Sequence, residues 1–179
     1  MENDPPRLKR HVGAPTSKLI AMTNWLYWAP FGAASLHIVE EFVYPGGFAA
    51  WDRRYRPGIR DSITGRFHII VNGLLLVACY DVWALRARPI GVGAWLTVAT
   101  LLFANALWHL IGSVTSRTYS PGVLTGLLLY MPLTVYGYGH FLRTGQASVA
   151  TAIIAFAVGA SYQLWMNALH NWRARRART

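Results

Sequence analysis

Residues 19–44 read LIAMTNWLYWAPFGAASLHIVEEFVY. No charged side chain interrupts this run until Glu40, and apart from Glu2 the pair Glu40 and Glu41 are the only glutamates in the chain. A helix needs about 20 consecutive apolar residues to cross the hydrocarbon of a bilayer, so the run is long enough to span. A charge at membrane depth costs about 2.5 kcal/mol or more. Two adjacent carboxylates and a histidine at the end of such a run therefore need a reason. On a helix, His37, Glu40 and Glu41 stand at i, i+3 and i+4 and share one side. That side can hold a metal ion, move a proton or anchor a partner helix.

Four further apolar stretches follow, roughly over 67–85, 92–114, 123–141 and 148–169. The composition agrees: of 179 residues 54% are hydrophobic and only 13% charged, against about 25% charged in soluble domains. Mean hydropathy is +0.27. The expected fold is all-α, a polytopic transmembrane bundle of about five helices. A polar N-terminal tail would cover 1–18, the five-helix domain 19–170 and a basic tail 171–179. The first run is too long and too late for a cleaved signal peptide. The single cysteine, Cys79, excludes an intrachain disulfide. The net charge of +10 comes from Arg and Lys in tails and loops, which suits anionic lipid head groups rather than nucleic acid. An integral membrane protein is expected.

The connection over 45–66 is the one long linker. It sets Phe48, Trp51 and Tyr55 among Arg53, Arg54 and Arg56, an interfacial composition that predicts a short helix or lid. The later connections are short and force antiparallel neighbours. Let side B be the membrane face reached at the end of the first span. His37, Glu40 and Glu41 then lie near B. So do His68 and Asn72 at the start of the second span, Asn105 and His109 at the end of the third, and Asn167 and His170 at the end of the fifth. The fourth contributes its B-side entrance, Tyr119-Ser120-Pro121-Gly122 and then Thr125. Each pair is spaced to face one direction, which predicts a polar pocket opening toward B. His170, beside the basic tail, is expected to reach the head groups instead.

Histidine with carboxylate binds zinc, iron or manganese. The metal-ligand candidates are His37, Glu40, Glu41 and His109. Adjacent glutamates point about 100° apart around a helix, so one can be a ligand while the other orients a ligand or handles protons. Glu40, Glu41, Asn72 and Asn105 are the candidates for catalysis and substrate orientation. A ferritin-type di-iron site is excluded, because it needs four carboxylates. The expected function is a membrane enzyme, metal-dependent, acting on a lipophilic or amphiphilic molecule from the bilayer. A metal-free acid–base isomerase, a proton- or cation-coupled transporter or binding protein, and a structural subunit are the alternatives. Neither oligomeric state nor substrate is legible.

Three motifs occur in order: His37-x-x-Glu40-Glu41, Asn105-Ala-Leu-Trp-His109 and Tyr119-Ser-Pro-Gly122 followed by Thr125. Together they resemble the family of small bacterial integral membrane proteins named for the HXXEE motif, over roughly residues 20–145. The resemblance implies an enzyme, metal-dependent, and names no substrate. The last stretch and His170 lie outside it.

Overall fold

The computed structural model of the chain describes residues 17–43 and 46–177. It is an all-α bundle with no strand among the described residues. The elements are α1 (Ser17–Val43), α2 (Gly47–Tyr55), a 3₁₀ turn (Pro57–Ser62), α3 (Gly65–Ala84) and α4 (Gly91–Ser116). There follow α5 (Val123–Thr125), a π-helical turn (Gly126–Tyr130), α6 (Met131–Arg143), α7 (Val149–Ala160) and α8 (Tyr162–Arg176). The pieces over 123–143 run on as one rod, and α7 with α8 make another. Most of the tail expected over 1–18 lies outside the described residues.

Among the described residues, three helices are long and apolar enough to cross a membrane: Gly65–Ala84, Gly91–Ser116 and Val149–Arg176. The outer surface agrees, since Leu36, Val39, Ile69, Leu74, Leu128, Val135, Ile153 and Leu164 are exposed large apolar side chains on every rod but α4, where Ile111 and Val114 play that part. The fifth rod does not end before the basic segment; α8 continues through Trp172 to Arg176.

Local sequence explains the boundaries. Thr64 caps α3, its hydroxyl accepting from Phe67 N–H at 3.2 Å, and Ser148 caps α7 by accepting from Thr151 N–H at 3.0 Å. α4 ends where Arg117 turns left-handed at φ 52°. α4 is the hub, packed against α3, α6, α7 and the π turn. Close approach depends on small residues. A Cβ at Gly137 would overlap the Trp95 ring, and one at Gly112 would overlap Trp51. Trp95 also donates its indole N–H to the Leu26 carbonyl at 2.8 Å, so its polar edge is satisfied inside the core.

The 46–62 segment folds back over the end of the bundle. Asp52 and Arg56 pair through both carboxylate oxygens, with Arg56 Nε to Asp52 Oδ1 at 2.7 Å, and Arg56 Nη1 donates to Asn167 Oδ1 at 3.2 Å. Arg56 is thereby taken up by Asp52 and Asn167. His170 is buried and bonded through Nδ1 to Ser62 Oγ at 2.8 Å. It does not reach the head groups as expected, because the returning segment supplies its partner.

Candidate metal centre

α1 presents His37 and Glu41 inward, with Ala34 on the same side, all of them buried. α4 presents His109 to the same place. His109 Nε2 lies 3.2 Å and His37 Nε2 3.5 Å from Glu41 Oε1. Ligand atoms of all three side chains lie within 4.8 Å of one another. Both Nε2 atoms are buried and have no hydrogen-bond partner among the described residues. Two ligands each about 2.1 Å from a zinc ion at a tetrahedral angle stand roughly 3.4 Å apart. The separations to Glu41 fit that spacing.

The remaining polar atoms of the three side chains are each held. Asn72 Nδ2 donates to Glu41 Oε2 at 2.8 Å, which leaves Oε1 toward the histidines. His109 Nδ1 meets Ser120 Oγ at 2.9 Å, and His37 Nδ1 meets Thr125 Oγ1 at 2.9 Å. Thr125 Oγ1 in turn lies 2.5 Å from Glu40 Oε2. Glu40 also accepts from the N–H groups of Gly122 at 2.8 Å, Leu124 at 3.2 Å and Thr125 at 2.8 Å, and from the Tyr119 hydroxyl. So surrounded by donors at a helix start, Glu40 is an acceptor-only carboxylate.

This chain of bonds fixes a tautomer. The single hydroxyl proton of Thr125 goes to Glu40, so Thr125 accepts from His37 Nδ1–H. His37 Nε2 then carries a lone pair, and it faces the lone pairs of Glu41. Two acceptors in a buried space repel unless a cation, metal or proton, stands between them.

Gly122 makes the arrangement possible. Its φ is 102°, and a Cβ there would stand 2.7 Å from His37 Cε1 and 2.8 Å from His109 Cε1. The Pro-Gly turn is thus a wedge between two imidazoles that meet edge to face, ring centres 5.0 Å apart. Phe48 of α2 covers His109 at 4.7 Å between ring centres and stacks on Trp51, whose indole N–H reaches Thr118 Oγ1 at 2.9 Å. The long linker therefore forms a lid.

Beside Glu41 lies a small polar cavity of about 60 Å³, lined among others by Asn72, Asn105, His68, Arg56 and Asn167. It has room for a few water molecules. Of the sequence-predicted residues, then, His37, Glu41 and His109 come together, Asn72 holds Glu41, and Asn105 lines the adjoining cavity. Glu40 is not brought into the cluster, because α1 turns it to the start of α5. Ser120 belongs to the entrance segment and Phe48 to the lid segment that the sequence predicts, though neither is assigned a contact with His109 there. Tyr130, whose ring lies 4.5 Å from that of His37, carries no sequence signal apart from aromatic character.

Comparison with known proteins places the molecule. The uncharacterized protein YrkK of Bacillus subtilis is 28% identical over 116 residues, 62% of this chain and 72% of that protein. Protoheme IX farnesyltransferase of Metallosphaera sedula is 31% identical over 84 residues, 47% of this chain but only 27% of that enzyme. No solved structure matches significantly. The model of the family described as a protein of unknown function with HXXEE motif matches residues 28–137, an interval that contains all three motifs and every residue of the cluster. The chain belongs to the HXXEE family.

Proposed function

We propose that this protein is an integral membrane enzyme that holds one divalent metal ion on His37 Nε2, His109 Nε2 and Glu41, and acts on a lipophilic or amphiphilic molecule taken from the bilayer. The observation that carries the reading is the convergence of three potential ligand atoms, each held in orientation from behind. His37 has its proton directed to Thr125, Glu41 is turned by Asn72, and His109 is held by Ser120. Two imidazoles and one carboxylate suit zinc or iron(II) and leave coordination positions open. A metal so placed supplies Lewis acidity and acidifies a bound water.

The chain's own residues supply the rest. Glu40 and Thr125 orient His37 from behind. Asn105 and Asn72 offer amide groups where a polar head group would sit. Phe48 and Trp51 close the site from above. An apolar cleft of about 430 Å³ opens beside Glu41, Phe42, Phe48 and His68, which supports entry of the substrate from the side. A farnesyltransferase among the proteins it resembles is in keeping with a lipophilic substrate.

Elemental analysis of protein purified without added chelator tests the reading. One zinc, iron or manganese per chain is expected, and none in His109→Ala. The 3.2 Å approach of His109 Nε2 to Glu41 Oε1 favours one second reading, in which a proton fills the place of the metal and the pair performs acid–base isomerisation. Active protein free of metal would establish that reading and remove the first.

A further inference from the structure

Tyr130 closes the π-helical turn and lies against His37, the ring planes 33° apart. It is wholly buried, and its hydroxyl has no hydrogen-bond partner among the described residues. A buried hydroxyl left unpaired carries a penalty that phenylalanine would avoid with the same packing. The Tyr130 ring centre lies 4.5 Å from that of His37 and the whole residue is buried, so the hydroxyl stands beside the cluster, inside the bundle and away from lipid.

The π turn is what brings Tyr130 there. Thr125 and Tyr130 are five residues apart, and both touch His37. That separation matches one π turn, a device frequent at functional sites. Gly126 lets the turn sit close to α4, since a Cβ there would meet Ala106 Cβ at 3.1 Å. Glu41 and, through the proton on its Nδ1, His37 direct acceptor atoms into the cluster, whereas the Tyr130 hydroxyl can donate.

We propose that Tyr130 donates a hydrogen bond to a ligand oxygen bound at the candidate metal centre, so that the centre takes molecules bearing an acceptor oxygen, a carboxylate or a polarised carbonyl. This rests on the metal reading above. His37, His109 and Glu41 hold the cation, and the Tyr130 hydroxyl recognises the oxygen that the cation also attracts. The ring of Tyr130 positions His37, a role phenylalanine keeps; only the donor is specific to tyrosine.

The test uses the full chain in lipid nanodiscs loaded with cobalt(II), with acetate as the probe and the cobalt absorption bands as the readout. Wild type and Tyr130→Phe should both bind one cobalt per chain with equal affinity. Acetate should perturb the bands of both, with its Kd weakened about tenfold in Tyr130→Phe, the loss expected for one hydrogen bond to a charged oxygen. Thermal stability of Tyr130→Phe should equal or exceed that of wild type. Equal acetate affinity in the two proteins overturns the proposal, as does a wild-type spectrum that acetate leaves unchanged. Loss of cobalt from Tyr130→Phe overturns it too, by making Tyr130 a ligand. Wild-type protein that takes up no cobalt overturns the metal centre itself, and this proposal with it.

Discussion

Glu40 and Glu41 are neighbours in sequence and opposites in environment. Glu40 is met by donors: three backbone N–H groups at the start of α5, the Thr125 hydroxyl and the Tyr119 hydroxyl. Glu41 has one donor, Asn72, and otherwise faces two imidazoles whose Nε2 atoms have no partner. The first carboxylate is satisfied by the fold. The second is left wanting a cation. Two identical side chains thus divide between a pocket of backbone donors and the candidate metal centre, and the division follows from the 100° that separates successive residues on a helix.

The largest expected effect comes from Glu41→Gln. Its amide can donate to an imidazole lone pair, so the fold should survive while the charge that attracts the metal is gone. Metal content should fall from about one per chain to near zero. Melting in the presence of chelator should be no lower than that of wild type. Retention of stoichiometric metal would place the ligand elsewhere and end the contrast between the two glutamates.

Gly122→Ala should come next. The added Cβ meets both imidazoles and must adopt a left-handed backbone. A cost of about 1–3 kcal/mol is expected from strain and overpacking, together with metal loss, read by thermal melting and elemental analysis. Normal metal content and an unchanged midpoint would show that the rings have freedom to move aside.

Glu40→Gln sharpens the comparison from the other side. Its amide N–H₂ would confront the N–H groups that now converge on the carboxylate. Stability should fall by about 1–3 kcal/mol, the worth of hydrogen bonds to a charged group, while metal stoichiometry is kept. A variant that loses metal as fully as Glu41→Gln would make Glu40 a ligand after all.

The smallest effect is expected from Asn72→Ala. Glu41 would keep its charge and lose only its orientation. Metal affinity should weaken about 10-fold, the lower end for the loss of a group supporting a ligand, with stoichiometry unchanged at saturating metal. Competition against a metal indicator dye measures it.

The five apolar stretches read from composition match the five helical rods because length and hydropathy are local properties, and a membrane leaves helices as the way to satisfy the backbone. The ends moved by a few residues, most at α8, where the basic segment stays helical because His170 and Ala174 turn inward. The periodicity of α1 put His37 and Glu41 on one face, yet it could not choose between Glu40 and Glu41. That choice is the rotation of α1 about its own axis. It is set by packing: Ala34 and His37 are 0% exposed and Glu41 5%, while Leu36 is 57% and Val39 55% exposed.

Sequence by itself thus determined the class of the molecule, the end of the bundle where polar groups gather, and the residue types capable of ligating a metal. These follow from composition and from spacing along single helices. Tertiary structure alone decided that Glu41 rather than Glu40 meets the histidines, that Gly122 lies against both imidazoles and that Phe48 covers that of His109. It also decided that a π turn swings Tyr130 against His37. Each of these depends on atoms distant in the chain, and on a helical register that α-helical periodicity does not contain. The physical reason is that spacing along one helix defines which residues share a face, whereas only contact between helices defines which face looks inward.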